Sequence, residues 1–195
     1  MLNNLLKDWL IVLGSNSPRR KQYLTDLGIN YSNRASDIDE TYPEHLYKVE
    51  ITDFIAAAKS QAIDILNDKE IIITSDTLVW NEEKALGKPV DRAEAYQMIQ
   101  SMSNKTHEVI SSVCLRSTQK QRLFNVTTKV TFKALTEEEI YYYIDTYKPY
   151  DKAGAYGIQE WIGLVGIQSI EGSYTNIVGL PTTELVQELI DFIQN

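Results

Sequence analysis

Short apolar runs and helical repeats alternate along the first half of the chain. The run from Trp9 to Leu13 is apolar throughout, which predicts a buried strand. Gly14 and the polar residues after it predict a turn. Ser17 is suited to cap a helix whose first residue is Pro18, since serine caps helices and proline favours the first helical position. The chain therefore begins as a strand, a polar turn and a helix that extends to Leu27.

Three further elements are predicted before the middle of the chain. Apolar residues recur at helical spacing between Pro43 and Leu66, which predicts a longer helix with a break inside it. Ile71 to Ile73 predicts a buried strand that ends at residues 74–77, and the chain continues extended through residues 78–80. Asp91 is predicted to cap a helix that reaches about Ile99.

The second half of the chain mixes strands and helices without regular alternation. Residues 107–117 and 124–134 predict two strands joined by a polar hairpin loop. Residues 136–147 predict a helix that begins with a capping box. The glycine-rich residues 150–179 predict an irregular loop region, and residues 181–193 predict a closing helix. This order indicates an α/β fold with a mixed sheet.

Composition narrows the choice of function. The 195 residues carry a net charge of -8 and are 43% hydrophobic, which suits a single globular domain over residues 1–195. Such an acidic chain is a poor binder of nucleic acid or of anionic membrane. Cys114 is the single cysteine, so no intrachain disulfide can form, and we interpret it as a packing residue. The sequence shows neither a recognisable signal peptide nor an apolar run long enough to span a membrane. We therefore expect a cytoplasmic protein that binds neither nucleic acid nor membrane.

The basic turn between Ser15 and Lys21 is the first candidate site. Arg19, Arg20 and Lys21 stand at the start of a helix, where cations oppose the helix dipole. Backbone N–H groups and two guanidinium groups at that place suit a phosphate chain. The alternative is a solvated basic helix start. A Walker A loop is excluded because the Gly-Lys-Ser/Thr ending is absent.

Carboxylates form the second candidate site. Asp76 follows a buried apolar strand, where an aspartate can hold Mg²⁺ or orient a water molecule. The acidic group Asp37, Asp39 and Glu40 can hold a hard cation that bridges phosphates. The alternatives are a strand-end turn for Asp76 and a solvated acidic loop for the other three. His45 and His107 lack the spacing of zinc ligands.

Two lysines and one glutamine complete the candidates. Lys59 lies at the border of an apolar helical stripe, and Lys88 is held between Gly87 and Pro89, where it can face an anion. Ordinary surface lysines are the alternative. In the glycine-rich run that ends at Gln159, small residues allow a ligand to approach the backbone, and the Gln159 amide can read the edge of a base. The alternative is a glycine-rich turn with a structural glutamine.

The order of these short motifs resembles the Maf family of nucleotide pyrophosphatases, also described as septum-formation-inhibitor-like proteins. The resemblance covers nearly the whole chain. Its motifs are Ser15 to Arg20, Ile38-Asp39-Glu40, Lys59, Ser75-Asp76-Thr77, Gly87-Lys88-Pro89, His107, Asp151 to Gln159, Gly172 to Asn176 and Gly179-Leu180-Pro181. Asn16, Ser75 and Asn104-Lys105 depart from the family pattern, and the last puts in doubt a bidentate role at Lys105.

The resemblance implies a role for each candidate. Within the family, Arg19 after Pro18 and the run that ends at Gln159 look like the branch that acts on dTTP and UTP. Asp76 matches the proton acceptor, and its roles as base and as metal ligand both stay open. The remaining assignments are substrate choice by Arg19, Thr77 and Gln159, phosphate binding by Ser15, Ser17, Arg20, Lys59 and Lys88, and metal binding by Glu40 with Asp76.

The same resemblance implies the wider properties of the protein. It implies an elongated, twisted, mixed sheet flanked by helices, with two lobes around a central cleft. It implies hydrolysis of a nucleoside triphosphate to the monophosphate and pyrophosphate with a divalent cation, Mg²⁺ or Mn²⁺. A homodimer is suggested by resemblance alone. Two alternatives stay open, namely a non-catalytic nucleotide-binding regulator of cell division and a pyrophosphatase for modified nucleotides.

Overall fold

The computed structural model of the protein describes residues 2–194. Within that range the chain forms eight α-helices, one short 3₁₀ turn and seven strands. The strands are β1 Leu10–Leu13, β2 Tyr31–Asn33, β3 Glu70–Asn81, β4 Lys84–Leu86, β5 Thr106–Arg116, β6 Gln121–Phe132 and β7 Ile167–Glu171. The helices are α1 Leu2–Leu5, α2 Pro18–Asp26, α3 Val49–Gln61, α4 Arg92–Met102, α5 Glu137–Tyr147, α6 Trp161–Gly166, α7 Tyr174–Val178 and α8 Thr182–Gln194, and the 3₁₀ turn is Ala153–Ala155.

The described strands form one mixed sheet. Their order is β2-β1-β3-β5-β6-β7, and β4 pairs with β3 outside this path. Strand β1 runs parallel to both neighbours, with Ile11 opposite Tyr31 and Ile71. Strands β4 and β7 run antiparallel to their partners. The predicted mixed α/β fold is therefore confirmed.

The chain groups into two compact units. The first contains residues 2–76, 111–126 and 179–194 of the described chain, and the second contains residues 77–110 and 127–178. Strands β3, β5 and β6 contribute residues to both units. Among the described residues, no helix has the length and apolar character that crossing a membrane requires.

The core of the first unit explains the apolar runs in the sequence. The parallel strands β1 and β3 are covered on both faces, so their side chains are apolar without alternation. Ile71 and Ile73 pack on one face, and Ile72 packs on the other with Val12 and Ile63. The first face is completed by helix α8, whose Leu185, Leu189 and Phe192 are buried. Cys114 is also buried, which confirms its packing role, and burial raises the pKa of its thiol.

Helix α3 is shorter than predicted. It covers Val49–Gln61, so the prediction of helix from residue 43 to residue 66 is wrong at both ends. Lys48 before the helix has a φ of 49°, which is not helical. At the other end, the Arg116 guanidinium donates to the carbonyl oxygens of Ser60 and Ile63 and thereby caps the helix.

Strand β3 is longer than predicted. Residues 74–77 do not end the strand, which continues to Asn81. These residues look like a turn because they are polar, but residues 74–76 are buried and have distant partners, such as the Ala56 carbonyl that accepts from Thr74 Oγ1 at 2.7 Å. The chain turns instead at Glu82 and Glu83, whose φ values are 47° and 63°.

Residues 150–179 are more ordered than the predicted irregular loop. They contain the 3₁₀ turn, α6, β7 and α7. The buried Asn176 helps to fix this segment, because its amide donates to the Val109 carbonyl and to Thr128 Oγ1, both at 3.0 Å. Such contacts with residues distant in the chain, together with the pairing of β7 with β6, order a segment whose composition indicates a loop.

The local signals at helix starts are confirmed. Ser17 caps α2 with Pro18 at the first helical position, and Asp91 caps α4, which extends to Met102. Thr136 and Glu139 form the capping box of α5. The predicted hairpin between β5 and β6 and the closing helix α8 are also present. The short elements α1 and β2 have no counterpart in the prediction.

Candidate active site

The polar turn after β1 lies against β3 within the first unit. Gly14 makes this close approach possible, because a Cβ at that position would lie 2.5 Å from Thr74 Cγ2. Ser15 is buried, and its Oγ accepts from the Ser17 backbone N–H at 3.2 Å. Ser17 Oγ in turn accepts from the Arg20 backbone N–H at 3.5 Å. The two serines therefore shape the turn, and their contact with phosphate stays a prediction.

Arg20 connects three segments of the first unit. Its Nε donates to the Gly179 carbonyl at 2.9 Å, and its Nη1 donates to the Ser75 carbonyl at 2.7 Å and to Ser15 Oγ at 3.3 Å. Burial lowers the pKa of the Arg20 guanidinium, and the negative charge of Asp76 opposes that effect. Arg20 is thus a brace that ties the turn to the backbone beside Asp76.

Arg19 precedes Arg20 in the first turn of α2. It occupies the second position of α2 and is partly exposed. Its positive charge contributes to the lowered pKa of Arg20, so two cations are concentrated at the start of the helix. Arrangements of this kind favour an anion at the helix N-terminus. The assignment of Arg19 to substrate choice stays a prediction.

Lys59, Glu40 and Asp76 form a group of charged side chains in the first unit, which we call the Lys59 cluster. Lys59 Nζ lies 2.8 Å from Glu40 Oε1 and 2.8 Å from Asp76 Oδ1. The Lys59 and Asp76 side chains are each 12% exposed, and the Glu40 side chain is 47% exposed. Ser36 Oγ donates to the Lys59 carbonyl at 3.2 Å, which helps to hold the segment before Glu40 against α3.

The structure distinguishes among the three acidic residues near Glu40. Asp37 and Asp39 are exposed, and Asp39 Oδ1 accepts from the Thr41 backbone N–H at 3.0 Å, which is a local turn. Glu40 is the one of the three with an ion pair to Lys59 among the described residues. The geometry therefore favours Glu40, which is the residue that the sequence analysis proposed for metal binding.

The Lys59 cluster fits a hard divalent cation. Mg²⁺ at phosphate sites is usually held by one or two carboxylates together with substrate phosphates and water. Glu40 and Asp76 supply two carboxylates that already face one positively charged atom. Among residues 2–194, no group of three or more His, Cys, Asp or Glu side chains is arranged to hold a metal ion. Such a cation would thus depend on phosphate oxygens for further ligands.

The other candidates belong to the second unit. Thr77 follows Asp76 in β3 and is partly exposed, whereas Lys88 and Gln159 are exposed. The Gly154 backbone N–H donates to the Gly87 carbonyl at 2.9 Å, which brings together the loops that carry Lys88 and Gln159. Gly154 has a φ of 68°, and a Cβ there would lie 3.0 Å from Val79 Cγ2, so this loop contact requires glycine.

A buried polar and aromatic layer supports the Gln159 loop. His107 Nε2 lies 2.8 Å from the Tyr156 hydroxyl, and both rings pack edge-to-face against Phe132. Burial lowers the pKa of His107 to about 4, so the ring is neutral at neutral pH. On the other side of the loop, the Tyr143 hydroxyl accepts from the Gly157 backbone N–H at 2.9 Å and donates to Glu160.

The roles of these supporting residues cannot be read from the sequence pattern. Tyr143, Tyr156 and Glu160 have no spacing signal that would reveal their contacts, since their partners are distant in the chain. The small residues around Tyr156 were the one available indication of a tightly packed loop. The structure thus brings together Ser15, Ser17, Arg19, Arg20, Glu40, Lys59 and Asp76 in the first unit, and places Thr77, Lys88 and Gln159 in the second.

The fold and these side chains define an α/β protein with a basic turn and a lysine-bridged carboxylate pair, a combination suited to a charged phosphate ligand. The sequence matches the Maf-like protein family over residues 10–192. The chain belongs to this family. The resemblance found in its motifs is therefore confirmed over nearly the whole length of the chain.

Similar proteins support the same classification. A protein of Flavobacterium johnsoniae named dTTP/UTP pyrophosphatase is 51% identical over 99% of this chain and 100% of its own length. Proteins of the same name from Christiangramia forsetii and Bacteroides fragilis are 52% and 51% identical, and each comparison covers at least 97% of both chains.

A solved structure extends the comparison to the fold alone. The structure of a HAM1 protein from Coxiella burnetii has a TM-score of 0.52 and 14% sequence identity. The alignment covers 94% of this chain and 99% of that chain.

Proposed function

We propose that this protein is a nucleoside triphosphate pyrophosphatase that hydrolyses dTTP and UTP to the nucleoside monophosphate and pyrophosphate. The support from comparison is identity of about half over whole chains to proteins named for that activity. The geometric observation that carries the proposal is the Arg20 brace, which joins the Ser15 turn to the Ser75 carbonyl beside Asp76. The turn that we propose to bind phosphate is thereby tied to the strand that carries Asp76.

In this proposal the start of α2 receives the triphosphate chain. Backbone N–H groups and the helix dipole favour phosphate at that place, and Arg19 adds a positive charge. Ser15, Ser17 and Arg20 shape the turn, and Lys59 and Lys88 neutralise charge on the departing pyrophosphate. Preorganised cations of this kind stabilise the charge that develops as the anhydride bond breaks.

The chemical step is hydrolysis at the α-phosphorus. The oxygen of a water molecule forms a bond to the α-phosphorus, and the bond from the α-phosphorus to the bridging oxygen breaks. The electron pair of that bond leaves with pyrophosphate, and the proton of the water passes to Asp76. Arg20 donates to the carbonyl of Ser75, the residue before Asp76, and in this proposal the Asp76 carboxylate acts as the general base for the attacking water.

The second proposed role of Asp76 is to hold a divalent cation together with Glu40. When bound, Mg²⁺ or Mn²⁺ would neutralise phosphate charge and lower the pKa of a bound water molecule. The two roles of Asp76 predict different metal requirements. If Asp76 acts only as the base, Asp76→Asn lowers turnover but leaves the cation affinity nearly unchanged.

Base recognition is assigned to Gln159 and Thr77. Uracil and thymine present an acceptor, O4, beside a donor, N3–H, and the Gln159 amide offers the complementary donor and acceptor. Cytosine presents the inverse pattern, so CTP should be a poor substrate. Acceptance of both UTP and dTTP follows because the reading does not involve the position of the thymine methyl group.

Cellular location and assembly form part of the same proposal. A reducing cytoplasm suits the one buried, unpaired cysteine, Cys114. The proposed substrates, nucleoside triphosphates, are cytoplasmic metabolites. A homodimer is proposed from the family relationship alone, and size-exclusion chromatography with light scattering tests it directly.

Pyrophosphate release from the purified protein tests the function. A panel of dTTP, UTP, CTP, purine triphosphates and modified pyrimidine triphosphates should give the highest kcat/KM for dTTP and UTP. Asp76→Asn should abolish release while the variant stays folded. Absence of release from every nucleotide, with nucleotide binding intact, would instead support a non-catalytic regulator of cell division. Preference for modified triphosphates would support the other alternative.

A further inference from the structure

Lys59 occupies the position where two carboxylates converge. Its Nζ lies 2.8 Å from one oxygen of Glu40 and 2.8 Å from one oxygen of Asp76. Both distances are those of charge-assisted hydrogen bonds. The Lys59 ammonium therefore makes direct contact with both carboxylates, and the Arg20 guanidinium is a second cation close enough to interact with the charges of Asp76 and Glu40.

The net charge of the Lys59 cluster determines how strongly it attracts a further cation. The Lys59 ammonium offsets one of the two carboxylate charges, and the nearby Arg20 guanidinium, whose pKa the charges of Asp76 and Glu40 raise against the effect of burial, offsets part of the other. Lys59 and Asp76 are each only 12% exposed, which limits screening by water and salt. A divalent cation that approaches the two carboxylates therefore meets the repulsion of the Lys59 ammonium that already contacts them.

A lysine side chain can readily move its charge from one set of acceptors to another. Its charge lies at the end of a flexible four-carbon stem, and its three donors can turn to new acceptors. Lys59 is in the last turn of α3, whose backbone is held separately by the Arg116 cap and by Ser36. The ammonium can thus change partners while the helix stays in place.

We infer that Lys59 is an internal counter-cation that occupies the metal position of the Glu40–Asp76 pair until nucleotide phosphates draw the ammonium away. Divalent cation alone then binds weakly, because it competes with Lys59. Nucleotide gives Lys59 a stronger set of phosphate acceptors and leaves both carboxylates to the cation. Nucleotide and cation therefore favour each other's binding, since coupling of this kind is reciprocal.

Two binding measurements on one substitution test the inference. Mn²⁺ is titrated by calorimetry into the nucleotide-free protein, and the α,β-methylene analogue of dTTP is titrated separately in the presence of EDTA. In Lys59→Met, Mn²⁺ should bind at least about tenfold more tightly than in the wild type, which corresponds to about 1.4 kcal/mol. The analogue should bind at least about tenfold more weakly, because a phosphate partner is lost.

Opposite effects on the two ligands distinguish this role from a structural one. A substitution that merely disturbs the fold weakens both ligands. Lys129→Met is the matched control for net charge, because Lys129 pairs on the surface with Glu171 and is 51% exposed. This control should leave both affinities within about twofold of the wild type. Adding Asp76→Asn to Lys59→Met should remove the gain in Mn²⁺ affinity.

Three results overturn the inference. The first is equal or weaker Mn²⁺ binding in Lys59→Met, the second is the same gain in Lys129→Met, and the third is a gain that survives Asp76→Asn. If Lys59→Met does not fold, as judged by circular dichroism, Lys59→Gln provides the same test with a smaller change. The inference rests on the proposed function only for the nucleotide arm. Failure to release pyrophosphate would refute the function, whereas the Mn²⁺ titration decides the inference by itself.

Discussion

Replacing Arg20 by lysine tests whether the hydrogen bonds of its guanidinium group, and not only its positive charge, stabilise the turn. The guanidinium fork reaches the Gly179 and Ser75 carbonyls from two different nitrogens, at 2.9 and 2.7 Å. A lysine ammonium is a single point on a flexible stem and cannot reproduce both contacts in the fork geometry. Arg20→Lys therefore keeps the charge at the start of α2 but loses at least one main-chain contact.

The expected magnitude follows from the number of contacts. A hydrogen bond from a charged donor contributes about 1.5–3 kcal/mol, and an abandoned buried carbonyl adds a further penalty. Arg20 is partly exposed, so water can satisfy part of what is lost, and one lost contact sets the scale. We expect Arg20→Lys to lower the free energy of unfolding by about 2 kcal/mol.

Urea denaturation followed by circular dichroism measures this loss, with an unchanged m-value as the sign of two-state unfolding. Arg122→Lys is the control, because Arg122 forms a surface ion pair with Glu188 and is 44% exposed. The control should change stability by less than about 0.5 kcal/mol. If Arg20→Lys is as stable as the control variant, Arg20 does not brace the turn, and its hydrogen bonds contribute little to stability.

Three other predictions concern pH, capping and base choice. His107 has a pKa lowered to about 4 in the fold, so the unfolded chain binds the proton more readily, and stability is lost as pH falls from about 6.5 towards 4. His107→Gln should remove most of this pH dependence in unfolding curves, and an unchanged slope would contradict the assignment. Thr136→Ala removes the capping box of α5 and should cost about 1 kcal/mol in the same assay, whereas Thr118→Ala in the hairpin loop should not. Gln159→Ala should reduce the dTTP/CTP ratio of kcat/KM about tenfold or more, and an unchanged ratio would place base reading elsewhere.

Local signals account for the parts of the fold that were predicted correctly. Ser17 with Pro18, Asp91, and Thr136 with Glu139 determine helix starts through contacts within three residues. Such contacts can be read from a short stretch of sequence because both partners lie in it. The buried apolar run at Ile71 likewise identifies a strand covered on both faces.

Distant contacts account for the errors. Thr74 looked like the start of a turn, but its hydroxyl donates to Ala56 and it is buried inside β3. Within α3, the apolar residue Phe54 is 43% exposed, whereas Ile51 is buried. The partners that decide these positions come from elements far away in the chain. No periodicity within α3 or β3 contains that information.

The candidate site shows the same division between local and distant information. Cations at the start of α2 interact unfavourably with the helix dipole, and the sequence pattern predicts a bound anion that offsets this effect. For Arg20 the structure supplies compensation from two carbonyl oxygens and a serine hydroxyl of the protein itself. Lys59, in the last turn of α3, contacts two carboxylates instead.

These two kinds of partner have different consequences for function. Main-chain carbonyls cannot leave without moving the backbone, so Arg20 is suited to remain in place when a ligand arrives. Carboxylate side chains can exchange an ammonium for another cation, so Lys59 is suited to move. The basic residues beside Asp76 thus separate into a fixed support and an exchangeable charge. A sequence pattern that records only positive charge cannot distinguish them, because the distinction lies in the acceptor that each cation reaches.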